Sequence, residues 1–304
     1  MVGGAFDRAR GDNNETKISC EYECGKPAKT TIDAGKGNDD IHVHTNFDGS
    51  VDVTVNDETH HFTAEQAQNL VVKGGSGSDS ITYSGSALTS RPNITIDGGS
   101  GNDMISSSSP THGNIEMMVM GAKPNMTLNG SSGSDMVSAE GLHGSQIDGG
   151  SGSDLIIGSS GRDRIDGGSG SDLIVGGSGD DRIDGGAGRD ILAGGKGDDY
   201  IQGGAGDDRI YGGRGDDYIV GGAGDDTIKG GSGDDFIRGD FDGRVTIMPT
   251  PGSRQQPVFI TRGDADTGDK HYPRSTADNS LLSPGDLLKD SMRSVAGVLG
   301  SIFK

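Results

Sequence analysis

The chain has 304 residues, of which 57 are glycine and only 30% are hydrophobic, and its formal net charge is −20. So little apolar material excludes a thick hydrophobic core and favours a thin, layered structure in which each layer buries one or two aliphatic side chains. The acidic balance excludes duplex nucleic acid as a partner, because that binding neutralises phosphates with Lys and Arg. Cations or basic surfaces are the expected counterparts.

The first 30 residues are polar and charged and show no periodicity, so we expect residues 1–30 to form a flexible arm. No apolar run approaches the roughly 18 residues that a membrane-spanning helix needs, and no cleavable secretory signal is apparent. Cys20 and Cys24 are the two cysteines. We interpret them as incidental or joined in a local disulfide, because no second Cys or His pair follows at zinc-ligand spacing.

Residues 31–148 contain four scattered, imperfect copies of a nine-residue pattern. Each copy has aspartate at its sixth position, namely Asp39, Asp79, Asp103 and Asp135. Alternating apolar and polar residues at 50–55, 93–96 and 115–120 predict short strands. We expect an irregular β-solenoid here, interrupted by a helix-like insertion at 63–69, where Thr63 and Gln66 form a capping pattern.

Histidines are concentrated in this region, at His42, His44, His60 and His61. His42 and His44 would share one face of a strand, which raises the hypothesis of a metal site. We favour ordinary surface histidines instead. Neither an H-E-x-x-H pattern nor a G-x-S-x-G elbow occurs in the chain, so these hydrolase signatures are absent.

From Gly149 to Arg238 the sequence consists of ten uninterrupted copies of nine residues, each close to G-G-x-G-x-D-x-U-x, where U is a large aliphatic residue. The sixth position is aspartate in every copy: Asp154, Asp163, Asp172, Asp181, Asp190, Asp199, Asp208, Asp217, Asp226 and Asp235. The first six residues predict a turn, and the last three predict a strand whose eighth residue points inward. Because one copy reverses the chain, two copies complete a coil.

Coils stacked about 4.8 Å apart leave little room for a Cβ where the backbone turns, which explains the glycines. Ser159 is the single departure and predicts a weaker first coil. The same stacking brings sixth-position carboxylates of neighbouring coils close to turn carbonyls, and such oxygen ligands select Ca²⁺. We predict about eight sites, shared between coils at the ten aspartates. The last five copies also have aspartate at position five, so their sites should bind more tightly.

Residues 244–282 are rich in Pro, Arg, Ser and Asp and contain two apolar segments, 245–248 and 258–260. These segments would cover the open end of a solenoid. Residues 283–304 predict an amphipathic helix that begins at Ser283. Its apolar face would consist of Leu288, Met292, Val295, Leu299 and Ile302. Four R-G-D triplets also occur, but Gly and Asp are so frequent that chance explains them.

Residues 149–243 resemble the RTX, or hemolysin-type calcium-binding, repeat family of bacterial secreted proteins, and the scattered copies extend a weaker similarity to about residue 34. The resemblance implies an all-β fold with a right-handed parallel β-roll over 149–243. It also implies that the first six residues of each copy bind Ca²⁺ and that a C-terminal signal directs export through the type I secretion apparatus. The ending Ser-Ile-Phe-Lys departs from the acidic, then apolar ending of many members, so type III export is the alternative.

These observations predict an extracellular calcium-binding protein, exported without a cleaved N-terminal signal, whose roll folds when it binds Ca²⁺ outside the cell. We expect a non-enzymatic adhesin, matrix or host-interaction factor without a transmembrane segment. The alternative is a secreted enzyme whose site on residues 31–148 acts on acidic polysaccharide. A cluster of carboxylate, His and Lys or Arg side chains on one exposed face would favour that alternative.

Overall fold

The structure is a computed structural model that describes residues 16–23, 26–85, 92–108, 125–140, 142, 144–239, 245–247 and 259–260. Two twelve-stranded sheets, which we call sheet I and sheet II, form this part of the chain. The all-β solenoid predicted from the repeats is confirmed. The segment 115–120, Cys24 and the helix predicted at 283–304 lie outside the described residues.

Sheet I contains one strand from each coil. In spatial order its strands are β1 (Lys17–Glu23), β2 (Lys26–Asp33), β6 (Asn69–Ser76), β8 (Asn93–Ser100), β10 (Asn125–Ser132), β12 (Gln146–Asp148), β14 (Arg164–Asp166), β16 (Arg182–Ala187), β18 (Tyr200–Ala205), β20 (Tyr218–Ala223), β22 (Phe236–Gly239) and β24 (Phe259–Ile260). All neighbours in this order are parallel except β1 and β2, which form an antiparallel hairpin.

Sheet II contains the other strand of each coil. In spatial order its strands are β5 (Glu58–Phe62), β4 (Val51–Val55), β3 (Asp40–Thr45), β7 (Ser80–Gly85), β9 (Met104–Ser108), β11 (Met136–Ser138), β13 (Leu155–Ile157), β15 (Leu173–Ser178), β17 (Ile191–Lys196), β19 (Arg209–Arg214), β21 (Asp226–Ser232) and β23 (Val245–Ile247). The first three strands form an antiparallel meander, and the others are parallel.

The tandem repeats pair with a register of 18 residues, as predicted for two copies per coil. Ile165 pairs with Ile183 in sheet I, and Ile174 pairs with Leu192 in sheet II. The eighth-position residue of each copy is buried, whereas its two neighbours in the strand face outward and are at least partly exposed. The core between the sheets is therefore one aliphatic side chain deep on each side.

The N-terminal coils have a broader core than the tandem array. Several of their strands bury two apolar side chains, such as Leu70 with Val72 on β6 and Ile94 with Ile96 on β8. Neither sheet is interrupted where the tandem array begins, because β12 pairs with both β10 and β14. The irregular and the regular coils thus form one continuous stack.

Several strands of the tandem array are longer than the three residues that the pattern predicts. From β15 to β20 each strand has six residues, because the first three residues of the following copy also join the ladder. Gly177 pairs with Gly195 and Ser178 pairs with Lys196, for example. The turn is therefore confined largely to positions four to six.

The N-terminal edge differs most from expectation. Strands β1 and β2 form a hairpin over residues for which the sequence predicts a flexible arm up to residue 30. Their charged side chains hide the alternation, but Ile18 packs against the core. The insertion at 63–69 contains only a 3₁₀ turn, Gln66–Gln68. The predicted capping pattern is present, since the Thr63 amide donates to Gln66 Oε1 (3.0 Å).

The C-terminal apolar segments contribute the last strand to each sheet, β23 to sheet II and β24 to sheet I. In the described part of the chain, no helix has the length and apolar character needed to cross a membrane.

The outer faces of the two sheets differ. On sheet I, Tyr200, Tyr218 and Phe236 form a stacked ladder with ring centroids 5.2 and 4.8 Å apart. The Arg182 guanidinium covers the Tyr200 ring at 4.8 Å. On sheet II, the paired positions are aliphatic over several coils, with Leu155 beside Leu173. The array thus presents an aromatic and charged face on sheet I, whereas the face of sheet II is aliphatic over its first three coils and then carries Arg209, Tyr211 and Lys229.

Candidate metal centre

The turns of the tandem array depend on backbone conformations that glycine adopts readily. Gly168 and Gly170, at positions two and four, have φ values of +95° and +135°. A Cβ on Gly170 would also collide with the carbonyl oxygen of Gly152 in the preceding coil. The glycines at these positions therefore allow both the left-handed turn and the close stacking of one turn on the next.

The sixth-position aspartates form two hydrogen-bonded columns, one along each edge of the solenoid. In each column the backbone amide of one aspartate donates to Oδ1 of the aspartate in the next coil, as from Asp154 to Asp172 (2.9 Å) and from Asp163 to Asp181 (2.8 Å). Column one consists of Asp39, Asp79, Asp103, Asp135, Asp154, Asp172, Asp190, Asp208 and Asp226. Column two consists of Asp163, Asp181, Asp199, Asp217 and Asp235.

The second carboxylate oxygen of most of these residues is buried and accepts no hydrogen bond. This holds for Oδ2 of Asp79, Asp103, Asp135, Asp154, Asp172, Asp181, Asp190, Asp199, Asp208 and Asp217. Their side chains are nearly inaccessible; Asp190, for example, has a relative exposure of 0%. Burying an acceptor without a partner costs about 1–3 kcal/mol, so its repetition in so many coils requires an explanation.

The first glycine of each copy leaves open the space beside this oxygen. A Cβ built on Gly149 would lie 2.8 Å from Asp154 Oδ2 and 2.6 Å from the carbonyl oxygen of Gly167 in the next coil. Gly149 does not have a positive φ, so the backbone alone does not require glycine there. Glycine at this position therefore leaves an open space between two acceptor oxygens, Asp154 Oδ2 and the carbonyl oxygen of Gly167.

Burial raises the pKa of these carboxyls, and neighbouring carboxylates raise several of them further. The pKa is about 7 for Asp135, Asp172, Asp181, Asp208 and Asp217. It is about 6 for Asp103, Asp154, Asp190 and Asp199. At neutral pH the carboxyls with a pKa of about 7 are partly protonated, and a cation bound at any of these sites would offset the cost of burying an ionised carboxylate.

Comparison with known proteins matches this arrangement to a family. The RTX calcium-binding nonapeptide repeat matches four segments of the chain, residues 95–109, 148–183, 184–219 and 211–243. The chain carries an RTX calcium-binding repeat array. No curated protein matches the chain.

The RTX turns fit Ca²⁺ by the chemistry of their donors. In the described part of the chain no three His, Cys, Asp or Glu side chains converge on one point, so carboxylates alone do not complete a site. Aspartate Oδ2 and turn carbonyl oxygens would hold the ion, and Ca²⁺ accepts such mixed sets of six to eight oxygen ligands. A bound cation would neutralise the carboxylates and supply the partner that Oδ2 lacks.

All ten aspartates predicted as calcium ligands lie in the two columns, and column one includes four more. Asp39, Asp79, Asp103 and Asp135 extend it through the irregular coils. The sequence marks these four residues as sixth-position aspartates of the scattered copies. Their separations along the chain do not predict that they align with the tandem array, because the insertions between the copies differ in length.

The fifth-position aspartates form two exposed outer ladders. In these ladders the backbone amide of one aspartate donates to Oδ1 of the aspartate in the preceding coil, whereas in the two columns it donates to the next coil. The Asp198 amide donates to Asp180 Oδ1 (3.1 Å), and the Asp216 amide donates to Asp198 Oδ1 (2.8 Å). An arginine pairs with the first aspartate of each outer ladder, Arg162 with Asp180 (2.8 Å) and Arg189 with Asp207 (3.1 Å). These exposed carboxylates add negative charge near the C-terminal RTX turns.

The histidines of the N-terminal meander do not form a comparable site. His44 Nδ1 lies 3.0 Å from Ser84 Oγ, and His61 Nδ1 lies 2.6 Å from Asp52 Oδ1. Strands β3, β4, β5 and β7 contain no Lys or Arg. The combination of carboxylate, His and cationic side chains that would favour an acidic-polysaccharide enzyme is thus incomplete on these described strands.

Proposed function

We propose that this chain is a secreted, non-enzymatic calcium-binding protein whose RTX array folds when Ca²⁺ fills the turn sites. The observation that carries the proposal is the repeated pairing of a buried aspartate Oδ2 with a glycine carbonyl in a space that a Cβ would fill. A cation at each of these spaces would replace the repulsion between acceptor oxygens by attraction. The ten tandem aspartates would provide about eight such sites.

The energetics favour folding outside the cell. Extracellular calcium modules bind at about 10⁻⁴–10⁻³ M, a concentration of free Ca²⁺ that the cytosol does not reach. Without the ion, a glycine-rich and acidic chain has only a thin core to offset the entropy lost on ordering. The array would remain unfolded during export and become ordered afterwards, because binding and folding are coupled.

Far-UV circular dichroism of the full chain tests the calcium dependence. The spectrum should change from largely unordered in EDTA to β-rich in millimolar Ca²⁺, and millimolar Mg²⁺ should have a much smaller effect. An identical β spectrum in EDTA and in Ca²⁺ would contradict the proposal.

We propose adhesion, matrix assembly or host interaction as the role of the folded protein. Its two outer faces carry an aromatic ladder on sheet I and aliphatic pairs on sheet II that each extend over several coils, which suits contact with an extended partner better than enclosure of a small substrate. The corresponding route is export by a type I apparatus directed by residues 283–304. Comparing culture supernatant with cell pellet for the full chain and for a chain lacking 283–304 tests this route, and unchanged export of the shortened chain would exclude it.

A further inference from the structure

Column one continues without a break through the irregular coils. The Asp79 amide donates to Asp103 Oδ1 (2.8 Å), and the Asp103 amide donates to Asp135 Oδ1 (2.7 Å). The Asp135 amide then donates to Asp154 Oδ1 (2.8 Å), the first aspartate of the tandem array. The hydrogen bonds are the same as those inside the array, although 24 or 32 residues separate the N-terminal partners instead of 18.

The space beside these N-terminal carboxylates also matches that of the tandem sites. Asp79 and Asp135 are each 2% exposed, and their Oδ2 atoms are buried without a hydrogen-bond partner. A Cβ on Gly130 would lie 2.6 Å from Asp135 Oδ2 and 2.5 Å from the carbonyl oxygen of Gly149. A Cβ on Gly74 would similarly meet Asp79 Oδ2 and the carbonyl oxygen of Gly98.

We propose that calcium sites extend along column one beyond the tandem array, at Asp79 and Asp135. The family matches include Asp103 but neither Asp79 nor Asp135. This proposal rests on the proposed function, since it assigns the same ion to these turns. It places calcium at scattered copies outside the tandem array, and it makes the irregular N-terminal region part of the metal-binding stack.

Counting ions on the full chain by native mass spectrometry tests the assignment. Asp79→Asn and Asp135→Asn should each bind one Ca²⁺ fewer than the wild type, because the amide nitrogen is no metal ligand while Oδ1 can still accept the ladder hydrogen bond. Asp57→Asn, in an exposed turn of the meander, is the matched control and should bind the wild-type number. Unchanged counts in both site variants would overturn the extension.

A wild type that binds no Ca²⁺ would instead overturn the proposed function, so the two failures are distinguishable. Hydrogen exchange of the wild-type chain provides a second measurement that does not depend on whether the variants fold. The amides in turns 74–79 and 130–135 should become more protected when Ca²⁺ is added, and equal protection in EDTA and in Ca²⁺ would contradict the extension.

Column two ends differently, at its first aspartate. Asp163 Oδ2 accepts from the Ser159 amide (2.6 Å) and from Ser159 Oγ (2.9 Å), so it already has partners. Asp163 Oδ1 accepts from the Ser145 amide (2.5 Å) and from Ser159 Oγ (2.9 Å). Neither Ser159 nor Gly161 has a positive φ, although most glycines at positions two and four do. The turn of this copy is therefore folded differently.

We infer that Ser159 takes the place of the cation beside Asp163 and closes column two without calcium. A serine hydroxyl and an amide provide the donors that a buried carboxylate needs, and the hydroxyl lies within hydrogen-bond distance of both oxygens of Asp163. Asp163 is then a structural end of the column, although the sequence predicts it as a calcium ligand. The sequence predicts a weaker coil at Ser159, whereas on this inference Ser159 stabilises the first turn of column two.

Substituting two neighbouring serines tests this inference by ion count. Ser159→Gly restores the repeat pattern and should gain one Ca²⁺, whereas Ser160→Gly, an exposed serine in the same turn, should not. An unchanged count for Ser159→Gly would overturn the inference. Ser159→Ala provides a second readout: it should lower thermal stability in EDTA without adding an ion, and stability equal to that of the wild type would also overturn the inference.

Discussion

Most turns of the tandem array combine an aspartate whose Oδ2 lacks a hydrogen-bond partner with a glycine that leaves room for one. The Asp172 carboxylate uses Oδ1 to accept the ladder hydrogen bond from Asp154 and directs Oδ2 toward the open side of Gly167. Aspartate suits this position because its short side chain freezes one rotor fewer than glutamate does. The site therefore depends equally on a side chain that is present and on a Cβ that is absent.

Asp172→Asn should remove one calcium ion and stabilise the calcium-free protein. The new amide keeps an oxygen for the ladder and can donate to the nearby carbonyl, so it satisfies the site without a metal. We expect the free energy of unfolding in EDTA at pH 8 to rise by about 1 kcal/mol. Thermal unfolding in EDTA, together with an ion count, measures both effects. Asp57→Asn, in an exposed turn of the meander, should change neither, and a wild-type ion count in Asp172→Asn would contradict the site.

Gly167→Ala tests the role of the first glycine. Its Cβ would lie 2.8 Å from Asp172 Oδ2 and 2.5 Å from the carbonyl oxygen of Gly185, so it would occupy the cation space. We expect the loss of one ion and a destabilisation of the calcium-bound chain by about 1–3 kcal/mol. Calorimetric unfolding in Ca²⁺ measures the change, with the exposed Ser169→Ala as control. A variant that binds the full number of ions would show that the space is not the site.

At the level of the coil, the sequence predicts the strand register, the side chains that face the core or the solvent, and the positions of the turns. A nine-residue period with one aliphatic residue predicts two strands per coil, and the structure has Ile165 above Ile183 as that period requires. The hairpin β1–β2 was not predictable, because its charged outer face hides the alternation. The partners of Asp163 were not predictable either, since a single Gly-to-Ser change does not reveal which acceptor the hydroxyl finds.

The two halves of the array should order at different calcium concentrations. Position five is aspartate in each of the last five copies, and these carboxylates lie close enough to form outer ladders. Added negative charge near a site strengthens cation binding. Hydrogen exchange of the full chain across a Ca²⁺ titration should show protection of residues 194–238 at lower concentration than residues 149–193. Simultaneous protection of both halves would contradict this difference.

Across the whole molecule, the buried carboxyls should link folding to pH when calcium is absent. For nine of them the pKa is about 6 or 7 in the fold, for example about 7 for Asp172, above the ordinary value of 3.8. A raised folded pKa gives stability that is fully present below the unfolded pKa and is lost as pH rises through the folded pKa. The calcium-free fold should therefore gain stability as pH falls from 8 to 5, whereas calcium binding should weaken because protons compete for Oδ2.

Circular dichroism in metal-free buffer, with thermal unfolding at several pH values, measures this dependence. Asp180→Asn removes an exposed carboxylate whose pKa is lowered by hydrogen bonds and by Arg162, so it should leave the acid stabilisation in place. A calcium-free chain that melts at lower temperature at pH 5 than at pH 8 would contradict the linkage.

The 18-residue register also limits how such an array can change length. Deleting two consecutive copies would leave every later strand in its own sheet and every later aspartate in its own column. Deleting one copy would exchange the sheets for all residues that follow, so the ladder of Tyr200, Tyr218 and Phe236 would move to the opposite face. An array of this kind can therefore be lengthened or shortened by even numbers of repeats without altering its surfaces, whereas an odd number transfers the downstream surface from one side of the protein to the other.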